Sequence, residues 1–592
     1  MSHAAAPNPL LRIVPALDSL RRYSASDARG DLVAGLTVAA VAVPQAMAYA
    51  LVAGLPVEYG LYTAIVMTAV GAVFDSSRQL INGPTNAISI AVLSAIALVA
   101  PERRVEAAVL LAFLVGAIQL GITLLRLGDL TRYISHSVIV GFTLGAGSLL
   151  VLDQLKNLFG MRAVGDPHDP FLLRLWGSLV DGGGIHGPTA MVGLGTIAAL
   201  IALRLVKRAL NWRLLPDLLV VVALAALAVA QLGLDAAGVR VVGEIPAKLP
   251  AFDAPSFDPA LMQQLASGAF AIAVLGLLEA VSMAKAIAAV TKQKLDMNQQ
   301  CLSEGLANFV GSFFSCFPGS GSLTRSAINQ QAGGATQWSG VVSAAAVALI
   351  VLVFAPYARF IPRAALAGIL IVSAYNMVDW RALAYHWRTT RFDAAIVAAT
   401  ALSALAISVE FCVMVGVMMS FLLTVPSAGR MLLTEFVIAR EGGVHERLPD
   451  DTPCERILIF GLEGEMFFGA SAALEEHFGH IEERATPNTS VVVLRLKRAR
   501  NPDAVGTTLL EAFLERMEAR GVTVLCCGVT RDFASRLDRS GLTAKLGANL
   551  FLEQRVRQTS TALAVRRAYE LIPGPCDTCP HRAALAAARR GD

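Results

Sequence analysis

The chain has 592 residues, of which 55% are hydrophobic and only 16% charged, against about 25% charged in an ordinary soluble domain. That balance excludes a disordered chain and argues against a wholly soluble one, and the length exceeds the roughly 250–300 residues that one hydrophobic core organises. A formal net charge of +4 is too weak to point to nucleic acid, and eight unevenly spaced cysteines make no disulfide framework.

Residues 1–30 hold no apolar core and carry Arg21, Arg22 and Arg29, so they read as a cytoplasmic N-terminal segment and not as a signal peptide. Residues 31–429 read as a transmembrane body of about fourteen apolar segments. They centre near Val41, Ile65, Leu93, Leu114, Val140, Ile197, Leu224, Leu275, Phe309, Ala327, Ala346, Ile369, Ala399 and Val415. Charge then rises abruptly. Arg430–Asp592 holds 22 basic and 22 acidic residues in 163, about 27% charged, where the body is about 12%. The expected division is a linker at 430–454, a soluble domain at 455–570 and a flexible tail at 571–592. With a cytoplasmic N-terminus, the inside loops collect Arg78, Arg126/Arg132, Lys207/Arg208/Arg213, Lys292/Lys294, Arg381/Arg388/Arg391 and Arg430. The outside loops hold fewer, such as Arg103/Arg104 and Arg359/Arg363. Even crossing then puts both termini in the cytoplasm of a cell inner (plasma) membrane protein, where Cys526-Cys527 stays reduced.

Two segments are interrupted in matching places. Asn82-Gly83-Pro84-Thr85-Asn86-Ala87-Ile88-Ser89 and Pro318-Gly319-Ser320-Gly321-Ser322-Leu323-Thr324-Arg325-Ser326 are polar and helix-breaking, yet lie between apolar stretches. They are about 235 residues apart, nearly the separation of the first and eighth segments. This is the layout of two homologous halves of seven segments, the second inverted, with short broken helices pointing to a transport site. A helix that starts at membrane depth leaves its first N–H groups without partners and its positive dipole end exposed. Two such starts facing one another make a cradle for an anion. Thr85, Ser322 and Thr324 add donors, and Arg325 adds a full charge suited to a dianion. The competing reading is two ordinary kinks near the bilayer surface.

Glu279 lies in Ala271–Ala280, apolar on both sides, where an ionisable group is a functional candidate. It reads either as a proton acceptor or as a structural ion pair with Arg325 or Lys285. Lys285 otherwise snorkels to the membrane edge. In the first segment, Pro44 predicts a kink. Gln45 and Tyr49 are four apart, on one face; they line a cavity, or Gln45 bonds a neighbouring helix and Tyr49 marks the interface belt.

The ordered motifs resemble the SulP anion transporter family (solute carrier family 26), in its sulfate-permease-like branch. They are Asp31–Val38, Pro44–Ala50, Gly54-Leu55-Pro56, Tyr59-Gly60-Leu61-Tyr62, Gly83-Pro84-Thr85 and Asn298–Asn329. The resemblance implies an α-helical polytopic membrane protein, a seven-plus-seven inverted repeat of fourteen segments. Two of these are half-helices, and core and gate domains move by elevator-like alternating access. It implies substrate-binding residues Gln45, Tyr49, Thr85, Asn86, Ser322, Leu323, Thr324 and Arg325, and ion coupling at Glu279. Met283 and Ala284 stand where a second acidic residue would favour sodium, so the resemblance favours protons.

In the tail, strands are expected at 456–460, 490–494 and 522–526, with helices at 473–478 and 508–520, a small α/β domain. It resembles the STAS domain that ends many members of that family. The family's phosphorylatable serine is absent from Asp503-Ala504-Val505-Gly506, so a docking or dimer contact is expected rather than catalysis. Cys576-Asp577-Thr578-Cys579-Pro580-His581 reads as a flexible tail in preference to a metal site. The combined expectation is a secondary active transporter, not an enzyme, without cofactor or metal. It takes a small inorganic oxyanion, sulfate first, coupled to protons. The partners expected are the lipid bilayer, a second copy in a homodimer and a soluble partner of the STAS domain. Alternatives are bicarbonate, C4-dicarboxylate or chloride transport, a passive or voltage-responsive anion channel, and a receptor signalling through the tail.

Overall fold

The structure, a computed structural model, describes all residues except 1–13, 22, 127–134, 163, 165–170, 211–215, 408, 440–442, 452, 555–558 and 573–592. Arg22, Arg132, Arg213, the Cys576–His581 motif and residues 583–590 therefore lie outside the described residues. The chain divides into two compact units, Met1–Ser420 and Phe421–Asp592.

The first unit is helical. Its first half holds α1 (Ala25–Val52), α2 (Val57–Phe74), a two-residue strand β1 (Asn82–Gly83) leading into α3 (Asn86–Ala95), and α4 (Arg104–Leu124). It continues with α5 (His136–Phe159), α6 (Phe171–Asp181), α7 (Gly187–Ala209) and α8 (Asp217–Leu232). The second half repeats the order. It has α9 (Pro259–Thr291), α10 (Met297–Ser312), β2 (Ser320–Gly321) leading into α11 (Leu323–Gln331), and α12 (Trp338–Ala358). It ends with α13 (Arg363–Met377), α14 (Trp380–Thr389), α15 (Arg391–Ala406) and α16 (Val409–Ala428), the last running past the boundary at Ser420. Each element of one half corresponds to the one eight places later. All fourteen expected segments have a helix, and α6 and α14 are additional.

The packing has the same symmetry. The contact of α1 with α12 is matched by α9 with α4, that of α2 with α12 by α10 with α4, and that of α5 with α15 by α13 with α7. The two half-helix leads pair with each other directly. β1 and β2 are antiparallel, Asn82 opposite Gly321 and Gly83 opposite Ser320. Antiparallel pairing of equivalent segments is what inverted repeats require. Helices α1–α4 and α9–α12 pack as one group, the core. Helices α5, α7, α8, α13 and α15 pack as a second, the gate.

Local chemistry explains the elements. Ser24 and Asp27 form a capping box that starts α1. The helix runs unbroken through Pro44 to Val52, losing one backbone bond there. Close approach between halves relies on missing side chains. A Cβ on Gly116 of α4 would lie 2.4 Å from the Phe309 nitrogen of α10, and one on Gly35 of α1 would lie 2.7 Å from the Ser339 oxygen of α12. The extra helices α6 and α14 are short and one-sided, with Trp176, Trp387 and Tyr385 exposed. They suit the membrane interface, where aromatic rings gather.

The second unit is a six-stranded sheet in the order β4-β3-β5-β6-β7-β8. Its strands are β3 (Leu432–Ile438), β4 (Val444–Glu446), β5 (Ile457–Glu465), β6 (Val491–Arg500), β7 (Thr523–Val529) and β8 (Leu550–Leu552). The stretch expected as a linker thus supplies two strands. β5 to β8 are parallel, while β3 is antiparallel to β4 and β5. α17 (Ser471–Arg484), α18 (Ala504–Ala519), α19 (Arg531–Arg539) and α20 (Leu542–Leu546) pack on one face, and α21 (Thr559–Leu571) on the other. Asp503 caps α18 by accepting the Gly506 amide at 2.8 Å, and it also accepts the Phe468 amide at 2.7 Å.

Candidate functional site

α3 has ten residues and α11 nine. At about 1.5 Å per residue each covers roughly half of a 30 Å hydrocarbon layer. The irregular leads before them are tied by hydrogen bonds to neighbouring elements, as backbone at membrane depth requires. The Ser322 amide donates to Ile81 O at 2.9 Å, and the Ile81 amide to Ser326 Oγ at 2.8 Å. Thr68 Oγ1 donates to Asn82 O at 2.6 Å. Asn308 brackets Gly319, donating to its carbonyl at 3.2 Å and accepting its amide at 3.0 Å. Ser320 Oγ donates to Gly276 O at 2.8 Å.

The two helix starts open on one cavity of about 110 Å³. One water needs roughly 10–15 Å³ on this measure, so the space takes a small oxyanion or several waters. Thr85 caps α3, accepting the Ile88 amide at 3.4 Å, and Ser322 caps α11, accepting the Arg325 amide at 3.4 Å. The amides of Asn86, Ala87, Leu323 and Thr324 donate to no protein acceptor among the described residues. They are the unmatched first donors of their helices, each start carrying about half a positive charge.

Thr85, Asn86, Ser322, Leu323 and Thr324 line the cavity, with Tyr49 of α1 and Glu279 of α9. The gate wall is more apolar, with Phe142 of α5 and Met377 of α13 among its residues, and Val413 of α16 lines the cavity as well. Glu279 is partly accessible from the cavity. Its Oε2 accepts the Thr85 hydroxyl at 3.0 Å. Among the described residues it is ion-paired with neither Arg325 nor Lys285, so the expected pair with either is not formed.

Two expected wall residues lie elsewhere. Gln45 is buried inside the core group, and its Oε1 has no partner among the described residues. Arg325 is 0% exposed. It does not line the cavity, and its guanidinium reaches across to the other half, where Nη2 donates to Pro84 O at 2.9 Å. Gly83, at φ 146°, makes room for it: a Cβ there would lie 2.8 Å from Arg325 Nη1. Arg325 is therefore a fixed charge behind the cradle, tying the two half-helix leads together. Its Nε and Nη1 have no protein partner among the described residues.

The structure also shows polar groups that sequence reading passed over. Asp75 is buried and accepts from Gln300 at 2.6 Å, Ser303 at 2.7 Å and Asn82 at 3.3 Å, joining the end of α2 to α10 and β1. Glu304 of α10 is 0% exposed and lies beside Ser320 of the second lead. Asp31 of α1 is buried and accepts the Ala335 amide at 2.7 Å and the Thr336 amide at 3.0 Å. Asp31 stands in the first-segment motif but at the polar edge of its apolar run, after Arg29 and Gly30. Asp75 and Glu304 sit at the edges of polar stretches and gave no signal.

Inverted repeats, paired half-helices at the midplane and a cavity between two helix groups define a polytopic membrane transporter. A model of the sulfate permease family matches residues 29–400, and one of the STAS domain matches residues 451–557. The chain belongs to the sulfate permease family, a family of transporters and not of enzymes. It is 30% identical over 546 residues to "Sulfate transporter 4.1, chloroplastic" of Arabidopsis thaliana, covering 88% of this chain and 78% of that one. It is 28% identical over 543 residues to "Putative sulfate transporter YvdB" of Bacillus subtilis (strain 168), covering 90% and 97%. In fold it is similar to the murine Solute Carrier 26 family member A9 anion transporter in the inward-facing state. The TM-score is 0.85 at 21% identity, covering 96% of each chain.

Proposed function

We propose that this chain is a secondary active transporter of a small inorganic oxyanion, sulfate first, coupled to protons. The carrying observation is the pair of opposed helix starts whose four unmatched amides face one cavity, with Glu279 in its wall. Amide donors suit oxyanions, and the buried Arg325 charge behind them favours a dianion. Glu279, held by a neutral hydroxyl and by no cation, is placed to take a proton as the anion binds. The relatives named for sulfate support the same substrate. The core carries the helix starts and the gate carries the opposite wall, which supports elevator-type movement of one past the other. We read the chain further as a homodimer with both termini cytoplasmic, its STAS unit serving docking or dimer contact.

The test is counterflow in liposomes with labelled sulfate, competed by bicarbonate, succinate, chloride and selenate, with and without a pH gradient. Saturable uptake driven by the gradient and competed by selenate is expected. Flux that follows the electrochemical gradient alone identifies a channel, and stronger competition by bicarbonate or succinate reassigns the substrate. Glu279→Gln is expected to keep counterflow but lose the pH dependence; an unchanged pH profile places coupling elsewhere.

A further inference from the structure

A second concavity lies between the core and the gate, distant in composition from the first. It has a volume of about 620 Å³ and is walled by α1, α2 and α12 of the core and α8 of the gate. Its walls are almost wholly apolar. Along α8 it runs from Leu219 to Ala230, about 16 Å of helix. That makes it a long slot rather than a round chamber. Leu227, Phe354 and Tyr357 in its walls are 55%, 56% and 69% exposed, so the slot opens sideways on the outer, lipid-facing surface of the helices. The length and apolarity fit an extended hydrocarbon chain.

One end of the slot is basic. α8 and α12 both finish there, and Ile245 and Ile361 close the slot. The connections beyond them pair: the Val242 amide donates to Ile361 O at 2.9 Å and the Arg363 amide to Arg240 O at 2.9 Å. Arg240, Arg359 and Arg363 are thereby gathered at the slot's mouth. Arg359 lies 4.7 Å over the ring of Phe360, itself a wall residue. Burial, then the charges of Arg363 and Arg162, hold the Arg240 guanidinium below its ordinary range. Arg359 and Arg363 are solvent-exposed and Arg240 is partly covered, its Nη2 donating to Met161 O at 2.8 Å while Arg363 Nε donates to Val241 O at 3.2 Å; none is ion-paired with a carboxylate among the described residues, and Glu244, on the same connection, pairs with none of them. A cluster of unneutralised cations at the end of an apolar slot is complementary to one kind of molecule, an anionic headgroup carrying an acyl chain.

We infer that the slot is a binding site for an anionic glycerophospholipid of the bilayer, with an acyl chain along α8 and the phosphate among Arg240, Arg359 and Arg363. Because its walls come from both helix groups, the lipid bridges the core to the gate.

Native mass spectrometry of the full chain, delipidated and titrated with phosphatidylglycerol or phosphatidylcholine, tests this. The wild type is expected to retain phosphatidylglycerol several-fold better. The double variant Arg359→Gln, Arg363→Gln is expected to bring the two lipids close to parity while leaving thermal stability unchanged. Ala226→Trp fills the slot and is expected to lower retention of both; Leu227→Trp, at an exposed position that overpacks nothing, does the same if Ala226→Trp fails to fold. Equal retention of the two lipids by the wild type, a preference that survives the double variant, or undiminished retention in both slot-filling variants overturns the assignment. So does a dimer cross-linked through Leu227→Cys, which would make the occupant a second copy of this chain.

Discussion

Thr85→Val tests the site most directly, because it keeps the shape of the side chain and deletes only the hydroxyl. That hydroxyl accepts the Ile88 amide at 3.4 Å and donates to Glu279 at 3.0 Å. Loss of an N-cap costs about 1 kcal/mol. A hydrogen bond to a charged group is worth about 1.5–3 kcal/mol in soluble proteins, but side-chain bonds between membrane helices average only about 0.6 and reach about 1.7. The membrane figure is the relevant one for a bond between α3 and α9, so the sum is roughly 1.5–2.5 kcal/mol. Only the part of this sum that differs between the empty and the transporting protein changes kcat/KM, so the fall for sulfate is at most about ten- to sixtyfold, at about 1.4 kcal/mol per factor of ten, and the remainder appears as lost stability. The assay is initial-rate uptake of labelled sulfate into proteoliposomes, with a thermal melt of the same preparation. Thr85→Ser retains the hydroxyl and is expected to keep most of the activity. Wild-type uptake by Thr85→Val would refute the reasoning. Equal damage from Thr85→Ser would do the same, since it would assign the effect to the γ-methyl.

Asp31→Asn keeps an oxygen for the Ala335 and Thr336 amides, which both reach Oδ1, but sets an N–H donor against the Thr336 and Tyr23 hydroxyls that donate to Oδ2; a loss of about 1–3 kcal/mol should appear as a lowered melting temperature with substrate KM unchanged. Gly83→Ala places a Cβ 2.8 Å from Arg325 Nη1 at φ 146°, a strain of about 1–3 kcal/mol. Sulfate uptake should fall more than stability does, and equal loss of both would deny the lead a role in the cradle. In the soluble unit, burial alone would raise Glu435, but hydrogen bonds from Arg447 at 2.7 Å and Arg484 at 2.9 Å more than reverse it, holding the carboxyl below its ordinary range. That stability is present above the unfolded value of about 4.3 and is lost as pH falls through the lower folded value. Protection factors of the β3 amides, corrected for the pH dependence of intrinsic exchange, should therefore fall on acidification in the wild type, and Glu435→Gln should remove that acid-dependent component.

What could be read from the sequence was whatever has a one-dimensional signature. Apolar runs such as Trp338–Ala358 are long enough to cross, and helix breakers between such runs have few physical explanations. Hence the half-helices and their facing starts across the repeat were legible, whereas Thr85 and Ser322, read as donors to an anion, are also the N-caps of their helices. The amphipathic helices α6 and α14 were not, because their alternation of polar and apolar residues looks like a surface loop in a window tuned to membrane spans. Nor were strands β3 and β4: Leu432–Ile438 gains its meaning only beside β5. The direction of Arg325 depends on the Pro84 carbonyl 241 positions away, and the burial of Asp75 on Gln300, 225 positions away. No local pattern encodes such distances. The helix start places Arg325 near the cradle; the partner across the repeat decides which side of it the charge takes.

That side matters for how an anion and a proton are handled together. A guanidinium in the wall would pair with Glu279 when the cavity is empty and with the anion when it is filled, a competition of two partners for one cation. Held by the Pro84 carbonyl, Arg325 forms no ion pair that has to break as an anion enters, and its charge reaches Tyr49 and Glu279 only through space. Only contacts that differ between two states shift an equilibrium. If transport is proton-coupled, Thr85 supplies one such difference. Its single O–H points to Glu279 in the structure. A protonated Glu279 supplies its own donor and releases that O–H toward the cavity, where an oxyanion accepts it beside the amides of Asn86 and Ala87. On the coupled reading, the proton favours the anion and, by linkage, the anion favours the proton equally. The route between them is one hydroxyl that also holds the first turn of α3.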